Sequence, residues 1–158
     1  MTGSPRDEEE WERLDRNLDE LLQELRIALP GVQVLFAFLL AVPFQRRFEQ
    51  VTDFQQSLYF VTLLLAAASM FLLMAPTAFH RITFRKQQKE KIVQLSNRLS
   101  IAGLAALALA VIGAVSLITD LLYDSTATIV VAAAATLIAF LCWFLLPLRI
   151  RLRARRTE

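Results

Sequence analysis

Hydrophobic residues are concentrated in four long blocks of the 158-residue chain, and charged residues are confined almost entirely to the segments between them. The blocks cover residues 27–44, 57–79, 99–123 and 126–148. A single charged residue, Asp120, lies inside them. Because about 18 or more consecutive apolar residues are needed to cross a hydrocarbon core about 30 Å thick, the pattern predicts an all-α integral membrane protein with four transmembrane helices. A soluble helical bundle would need a polar face on each helix, and the last three blocks have almost none.

The segment before the first block, residues 1–26, follows a different pattern, with apolar residues spaced three or four apart among many charged ones. These apolar residues, which we call the seam, are Trp11, Leu14, Leu18, Leu21 and Leu25. Their spacing is the a/d rhythm of a helix with one apolar stripe. The segment is therefore predicted to form a cytoplasmic amphipathic helix that leads directly into the first apolar block.

The predicted amphipathic helix is acidic, with nine acidic against four basic residues, and this charge bears on what its seam contacts. Helices that lie on a lipid surface are usually basic on their polar face, and an anionic leaflet would repel this one. Three arrangements remain open: the seam docks against basic segments of its own chain or a neighbour, it pairs with the same helix of another subunit, or the helix stays solvated. Contact with protein, in a homo-oligomer or with a membrane protein partner, is favoured.

The basic residues outside the apolar blocks are divided unevenly along the chain. Lys and Arg number four before the first block, six in residues 80–98 and five in residues 149–158, but only two in residues 45–56. Since Lys and Arg accumulate in cytoplasmic segments, both termini and the loop 80–98 are predicted to face the cytoplasm. The basic residues expected to contact anionic lipid of the bilayer are Arg81, Arg85, Lys86, Arg149, Arg151 and Arg153.

Three polar residues in or beside the blocks could carry chemistry, and each also has a structural explanation. Gln33 places an amide in the first block, where it would hydrogen-bond to another helix or line an ion path. Asp120 lies one turn from the outer end of the third block, and Asp124 follows on the same helix face. The two carboxylates could capture a cation or proton, or they could solvate the turn and cap the fourth helix.

The third block carries alanines four residues apart: Ala102, Ala106, Ala110 and Ala114. Such a ladder lets another helix approach closely, within the chain or from a second subunit, although alanine is also common in spans. The single histidine and the single cysteine cannot form a typical metal site or an internal disulfide. Because no catalytic or nucleotide-binding motif is present either, we expect no cofactor, no metal, no nucleic-acid partner and no enzymatic activity.

The segments RNLDELLQELRIALPGVQVLFAFLLAVPF, FHRITFR and NRLSIAGLAALALA resemble a family of small actinobacterial integral membrane proteins that is catalogued only as a domain of unknown function. The resemblance extends from Leu14 to Leu122 and is most specific at Glu24, Leu25, Arg26, Gly31, Val32, Gln33, Leu35 and Phe36. Pro30 stands where the family usually has a small polar residue. The resemblance implies a small protein of the bacterial cytoplasmic membrane and no established reaction, although some members carry a sodium:proton antiporter label.

Two classes of function follow from these features. The first is a non-enzymatic oligomeric scaffold or accessory subunit, whose contact surface is the acidic helix together with the basic cytoplasmic segments. The second is an ion or proton conductor, antiporter-like or a channel, whose pathway forms only in an oligomer and which rests on Gln33, Asp120 and the antiporter label. The first is favoured because no charged residue falls at a midplane, where transporters usually place their ionisable groups.

Overall fold

The structure is a computed structural model that describes residues 5–83, 89–123 and 125–145. Within these residues the chain is helical and contains no β-strand, so the predicted all-α class is confirmed for this part. The helices are α1 (Pro5–Ala41), α2 (Asp53–Thr83), α3 (Lys89–Leu122) and α4 (Ser125–Phe140). Two short 3-10 helices, Val42–Phe44 and Arg46–Gln50, connect α1 to α2, and a π-helical turn, Leu141–Leu145, follows α4.

Three of these helices are long and apolar enough to cross a membrane. Their candidate spans are Asp19–Phe44, Asp53–Phe79 and Ile92–Leu122. The fourth helix is shorter than its predicted block, since α4 has 16 residues and gives way to the π-helical turn after Phe140. At about 1.5 Å per residue, α4 alone covers about 24 Å.

The helices are longer than the apolar blocks from which they were predicted. The amphipathic segment and the first block form one continuous helix, α1, with Pro30 inside it. Helix α2 continues to Thr83 and α3 begins at Lys89, so most of the predicted loop 80–98 is helical. The physical reason is that charged residues end a stretch that is compatible with lipid, but Lys, Arg, Gln and Glu are good helix formers and do not end a helix.

The centre of the fold is the antiparallel pair of α2 and α3, whose backbones approach closely at two glycines. A Cβ atom at Gly103 would lie 2.8 Å from side-chain atoms of Leu73, well inside van der Waals contact. A Cβ atom at Gly113 would overlap Thr62 in the same way. Ser69 donates a buried hydrogen bond from Oγ to the carbonyl oxygen of Gly103 at 2.8 Å. Close packing and hydrogen bonding are the interactions that hold helices together where the surroundings are apolar.

The helix α1 packs along the α2–α3 pair through two clusters of apolar side chains. One cluster groups Leu39 with buried residues of α2 and α3. The other groups Leu25 and Val32 of α1 with Leu73 of α2. Helix α4 packs against α3, and no residue of α4 is buried. The described part of the chain is therefore a three-helix core with a fourth helix along one side.

Helix α1 ends at Ala41, shortly before Pro43, and this end is held by Tyr59. Proline has no N–H group, so the carbonyl group of Leu39 cannot accept the usual α-helical hydrogen bond from the residue four positions later. The Tyr59 hydroxyl of α2 donates a hydrogen bond to that carbonyl oxygen at 3.0 Å. This bond holds the end of α1 beside the first turns of α2, at the same end of the molecule as the turn between α3 and α4.

Candidate functional site

A cluster of polar side chains, which we call the polar junction, joins α2, α3 and α4 at one end of the helices. It begins at Thr52, whose Oγ1 accepts a hydrogen bond from the backbone N–H of Gln55 at 3.2 Å. In return, the backbone N–H of Thr52 donates to Oε1 of Gln55 at 3.0 Å. This reciprocal capping box satisfies N–H groups that have no partner within the helix. It also fixes the Gln55 amide, with its Oε1 occupied and its Nε2 free to donate elsewhere.

The second half of the polar junction is the carboxylate of Asp120, in the last turn of α3. Gln55 donates from Nε2 to Oδ2 of Asp120 at 2.8 Å, although the two residues are 65 positions apart in the chain. Thr128, in the first turn of α4, donates from Oγ1 to Oδ1 at 3.4 Å, which is a long and weak hydrogen bond. The carboxylate therefore connects the start of α2 and the start of α4 to the end of α3.

The chemistry available at the polar junction is limited by its donors. Asp120 accepts hydrogen bonds from the amide of Gln55 and the hydroxyl of Thr128, and both of these donors are neutral. The side chain of Asp120 is only partly buried. No group of three or more His, Cys, Asp or Glu in the described residues is placed to hold a metal ion. The hydrogen bonds of Asp120 join three helices.

Beside the polar junction lies a cleft of about 430 Å³ between the α1–α2 connection and the first turns of α2. Its aromatic wall is ordered by an edge-to-face contact between Phe48 and Tyr59, with ring centroids 5.1 Å apart. The residues that line the cleft are Pro43, Phe48, Gln56, Ser57, Tyr59 and Phe60. The surface of this lining is largely apolar, and its described residues include no His, Cys, Asp, Glu or Lys.

The structure places the other polar candidate, Gln33, on the outside of α1. Its side chain is exposed and lies far from the polar junction, so the structure does not bring Gln33 and Asp120 together. Asp124, the third candidate, lies outside the described residues. An ion pathway that uses these residues in an oligomer remains a prediction.

The seam divides into a described and an undescribed part. Leu25 is buried in the cluster with Leu73, and Leu21 packs against the same cluster while partly exposed. The side chains of Trp11, Leu14 and Leu18 lie outside what the structure describes. The described part of the seam thus contacts the chain's own α2 helix.

The alanine ladder of α3 does not lie uniformly against a neighbouring helix. Ala110 is fully buried, Ala106 and Ala114 are partly buried, and Ala102 is exposed. The closest approach to α2 occurs instead at Gly103 and at Gly113. The ladder's role at a subunit interface remains a prediction.

The basic residues predicted to contact anionic lipid lie outside the part of the chain whose side chains are described. Arg81 falls within α2, but its side chain is not described. Arg85, Lys86, Arg149, Arg151 and Arg153 lie outside the described residues altogether. Cys142 is exposed.

Sequence reasoning missed Thr52, Gln55 and Thr128, the three residues that surround Asp120 in the polar junction. A signal for two of them exists in the sequence. Thr52 and Gln55 are spaced as in a capping box, immediately before an apolar run, which is a recognisable start of a helix. No local pattern indicates that Gln55 reaches Asp120, because that contact depends on the antiparallel pairing of α2 with α3.

Comparison with protein families gives one match. A family described as a family of unknown function, DUF6328, matches residues 7–147, which agrees with the resemblance found in the sequence. Neither the curated proteins nor the solved structures include a match to this chain.

Proposed function

The chain belongs to the family of unknown function DUF6328, and from this premise we propose that it is a small integral membrane protein that acts as an oligomeric scaffold or accessory subunit without enzymatic activity. It lies in the bacterial cytoplasmic membrane with both termini in the cytoplasm. The proposal is supported by three helices that are long and apolar enough to cross a bilayer. It is also supported by the uneven distribution of Lys and Arg along the sequence.

The proposed fourth span consists of α4 and the π-helical turn. Together they extend from Ser125 to Leu145 without a charged residue. That length is roughly 30 Å, about the thickness of a hydrocarbon core. Four spans place both ends of the chain on the same side, as the basic residues require.

The observation that carries the scaffold proposal is the hydrogen bonding of Asp120. It is the only charged residue within the apolar blocks, and its carboxylate joins three helices through neutral donors. A transporter usually holds its ionisable groups near the midplane, where a path can open to either side. Asp120 lies instead in the last turn of α3, so its position supports a structural role over conduction.

The proposed contact surface is the acidic face of α1. Asp19, Glu20 and Glu24 are exposed, whereas Leu25 beside them is buried against α2. The helix is therefore held through its seam and presents carboxylates outward. A partner protein with a basic surface would be attracted to this face, and the basic cytoplasmic segments would contact anionic lipid.

The second candidate function is an ion or proton conductor, which the partial exposure of the Asp120 carboxylate favours. Purified protein in liposomes, monitored with pH-sensitive and sodium-sensitive dyes, distinguishes the two functions. The scaffold proposal predicts that the unaltered protein and the Asp120→Asn variant both leave an imposed gradient as stable as empty liposomes do. Flux through the unaltered protein that the Asp120→Asn variant loses would establish the conductor instead.

A further inference from the structure

We propose that the outward face of α1 around Gln33 is an interface between two copies of this chain. This inference rests on the membrane insertion proposed above. The face consists of Gln33, Ala37 and Ala41, which follow one another at intervals of four residues and are all exposed in the single chain. Residues at this spacing form one row along a helix, so a second helix can lie against all three.

The position of Gln33 along α1 places its amide deep in the proposed bilayer. Tyr59 of α2 is bonded to the carbonyl group of Leu39, and this contact fixes the level of α1 against α2. Gln33 lies six residues before Leu39, or about 9 Å along the helix axis. Since the two helices run antiparallel, Gln33 lies at the same depth as Leu65 of α2, six residues after Tyr59. This depth is close to the middle of the apolar block 57–79.

The Gln33 amide has no hydrogen bond to any other described residue. An amide carries two N–H donors and a carbonyl oxygen that accepts, and hydrocarbon offers a partner for none of them. Facing lipid without partners is therefore unfavourable for this side chain. Hydrogen bonding to an amide on another helix removes the penalty and holds the two helices together.

A second copy of the chain is the partner that this amide fits best. An amide is self-complementary, because each of two amides can donate to the carbonyl oxygen of the other. Two copies related by a twofold axis along the membrane normal bring their Gln33 residues to the same depth. The small side chains of Ala37 and Ala41 then allow the two α1 helices to approach closely.

The other described residues leave this face of α1 uncovered. Only 11% of the apolar 18-residue stretch in the α1 span is buried, whereas 28% of the corresponding stretch is buried in the α2 span and in the α3 span. The buried residues of α1, such as Val32 and Leu39, lie on the opposite side and face α2 and α3. Pairing through the Gln33 face therefore disturbs no contact between the described residues of the single chain.

Cysteine cross-linking of the full chain in native membranes tests the interface directly. The native Cys142 is exposed and is first replaced by Cys142→Ser. In that background Ala37→Cys should form a disulfide-linked dimer on oxidation. Phe38→Cys is the matched control, because Phe38 is 70% exposed and lies about 100° away around the helix. It should remain monomeric.

Substitutions of Gln33 test the role of the amide. When combined with Ala37→Cys, Gln33→Leu should reduce the cross-linked dimer at least fivefold, whereas Gln33→Asn, which keeps an amide, should preserve most of it. Equal cross-linking at positions 37 and 38, no dimer at position 37, or an undiminished dimer in Gln33→Leu would overturn the proposal. A cross-link to a different protein would also overturn it, in favour of a heteromeric interface.

Alkaline carbonate extraction of the same membranes separates failure of this inference from failure of the proposed function. If the chain resists extraction but gives no dimer, only the interface is refuted. If carbonate releases the chain, membrane insertion itself is refuted and the interface with it.

Discussion

Gln55 takes part in three hydrogen bonds, through its backbone N–H, its Oε1 and its Nε2. The first two build the start of α2 together with Thr52, and the third reaches Asp120 on α3. A single side chain thus couples the beginning of one helix to the end of another. The neighbouring Gln56 provides a contrast, because its side chain is exposed at the rim of the cleft.

At this scale we predict that Gln55→Leu lowers thermal stability in detergent and that Gln56→Leu does not. The variant keeps the backbone N–H that bonds to Thr52 Oγ1 but loses the bond from the Thr52 N–H to Gln55 Oε1 and the bond to Asp120. These losses should cost about 1–3 kcal/mol, since a hydrogen bond within the protein contributes about 0.5–1.5 kcal/mol and an interhelical bond about 0.6–2 kcal/mol. Measurement of unfolding midpoints for both variants in one detergent gives the comparison. Equal midpoints would show that the polar junction does not stabilise the fold.

At the scale of elements, the pairing of α2 with α3 depends on the two glycines at which the helices approach closely, and Gly103 is one of them. A methyl group there would press on Leu73, whereas a methyl group at Gly31 in α1 would meet nothing within 4 Å. Both glycines lie inside helices, so the helix propensity gained by alanine, about 1 kcal/mol, is the same at each position. A comparison of alanine substitutions at the two sites therefore separates the effect of helix propensity on stability from the effect of packing.

We predict that Gly103→Ala destabilises the protein and that Gly31→Ala leaves it unchanged or stabilises it by up to about 1 kcal/mol. Overpacking at Gly103 should cost about 1–3 kcal/mol. Thermal unfolding of the two variants beside the unaltered protein measures both effects. A stabilising Gly103→Ala would mean that α2 and α3 are farther apart than the structure shows.

The seam supplies the second prediction at the scale of elements. Leu25 is 4% exposed and packs with Leu73, whereas Ile27, two residues later, is 78% exposed. Leu25→Ala should loosen the N-terminal half of α1, because truncation of a buried leucine costs about 2–5 kcal/mol. Amide exchange between Arg13 and Leu25 should accelerate in this variant and stay unchanged in Ile27→Ala. Unchanged protection in both variants would show that the seam does not anchor the helix.

At the scale of the whole molecule, some features of the fold could be predicted from local sequence patterns and others could not. The helical class followed from blocks without charge, because burial in lipid requires a continuous apolar length. Helix ends were less accurate, since the polar residues that border a block are themselves helix formers, as at Lys89 and Lys91 of α3. The polar junction could not be predicted, because Gln55 and Asp120 meet only after α2 and α3 have paired.

The central claim is that the chain crosses the membrane four times with both ends in the cytoplasm. It predicts that Glu158 lies in the cytoplasm and that the α1–α2 connection near Gln50 lies on the opposite side of the membrane. Basic residues oppose translocation of the segments that carry them, and the connection near Gln50 carries few.

Paired reporter fusions measure this arrangement directly. A fluorescent protein should be bright, and alkaline phosphatase inactive, when either is fused after Glu158. The reverse should hold for fusions at Gln50. Active phosphatase at Glu158 would contradict the claim, because the C-terminus would then lie outside the cytoplasm.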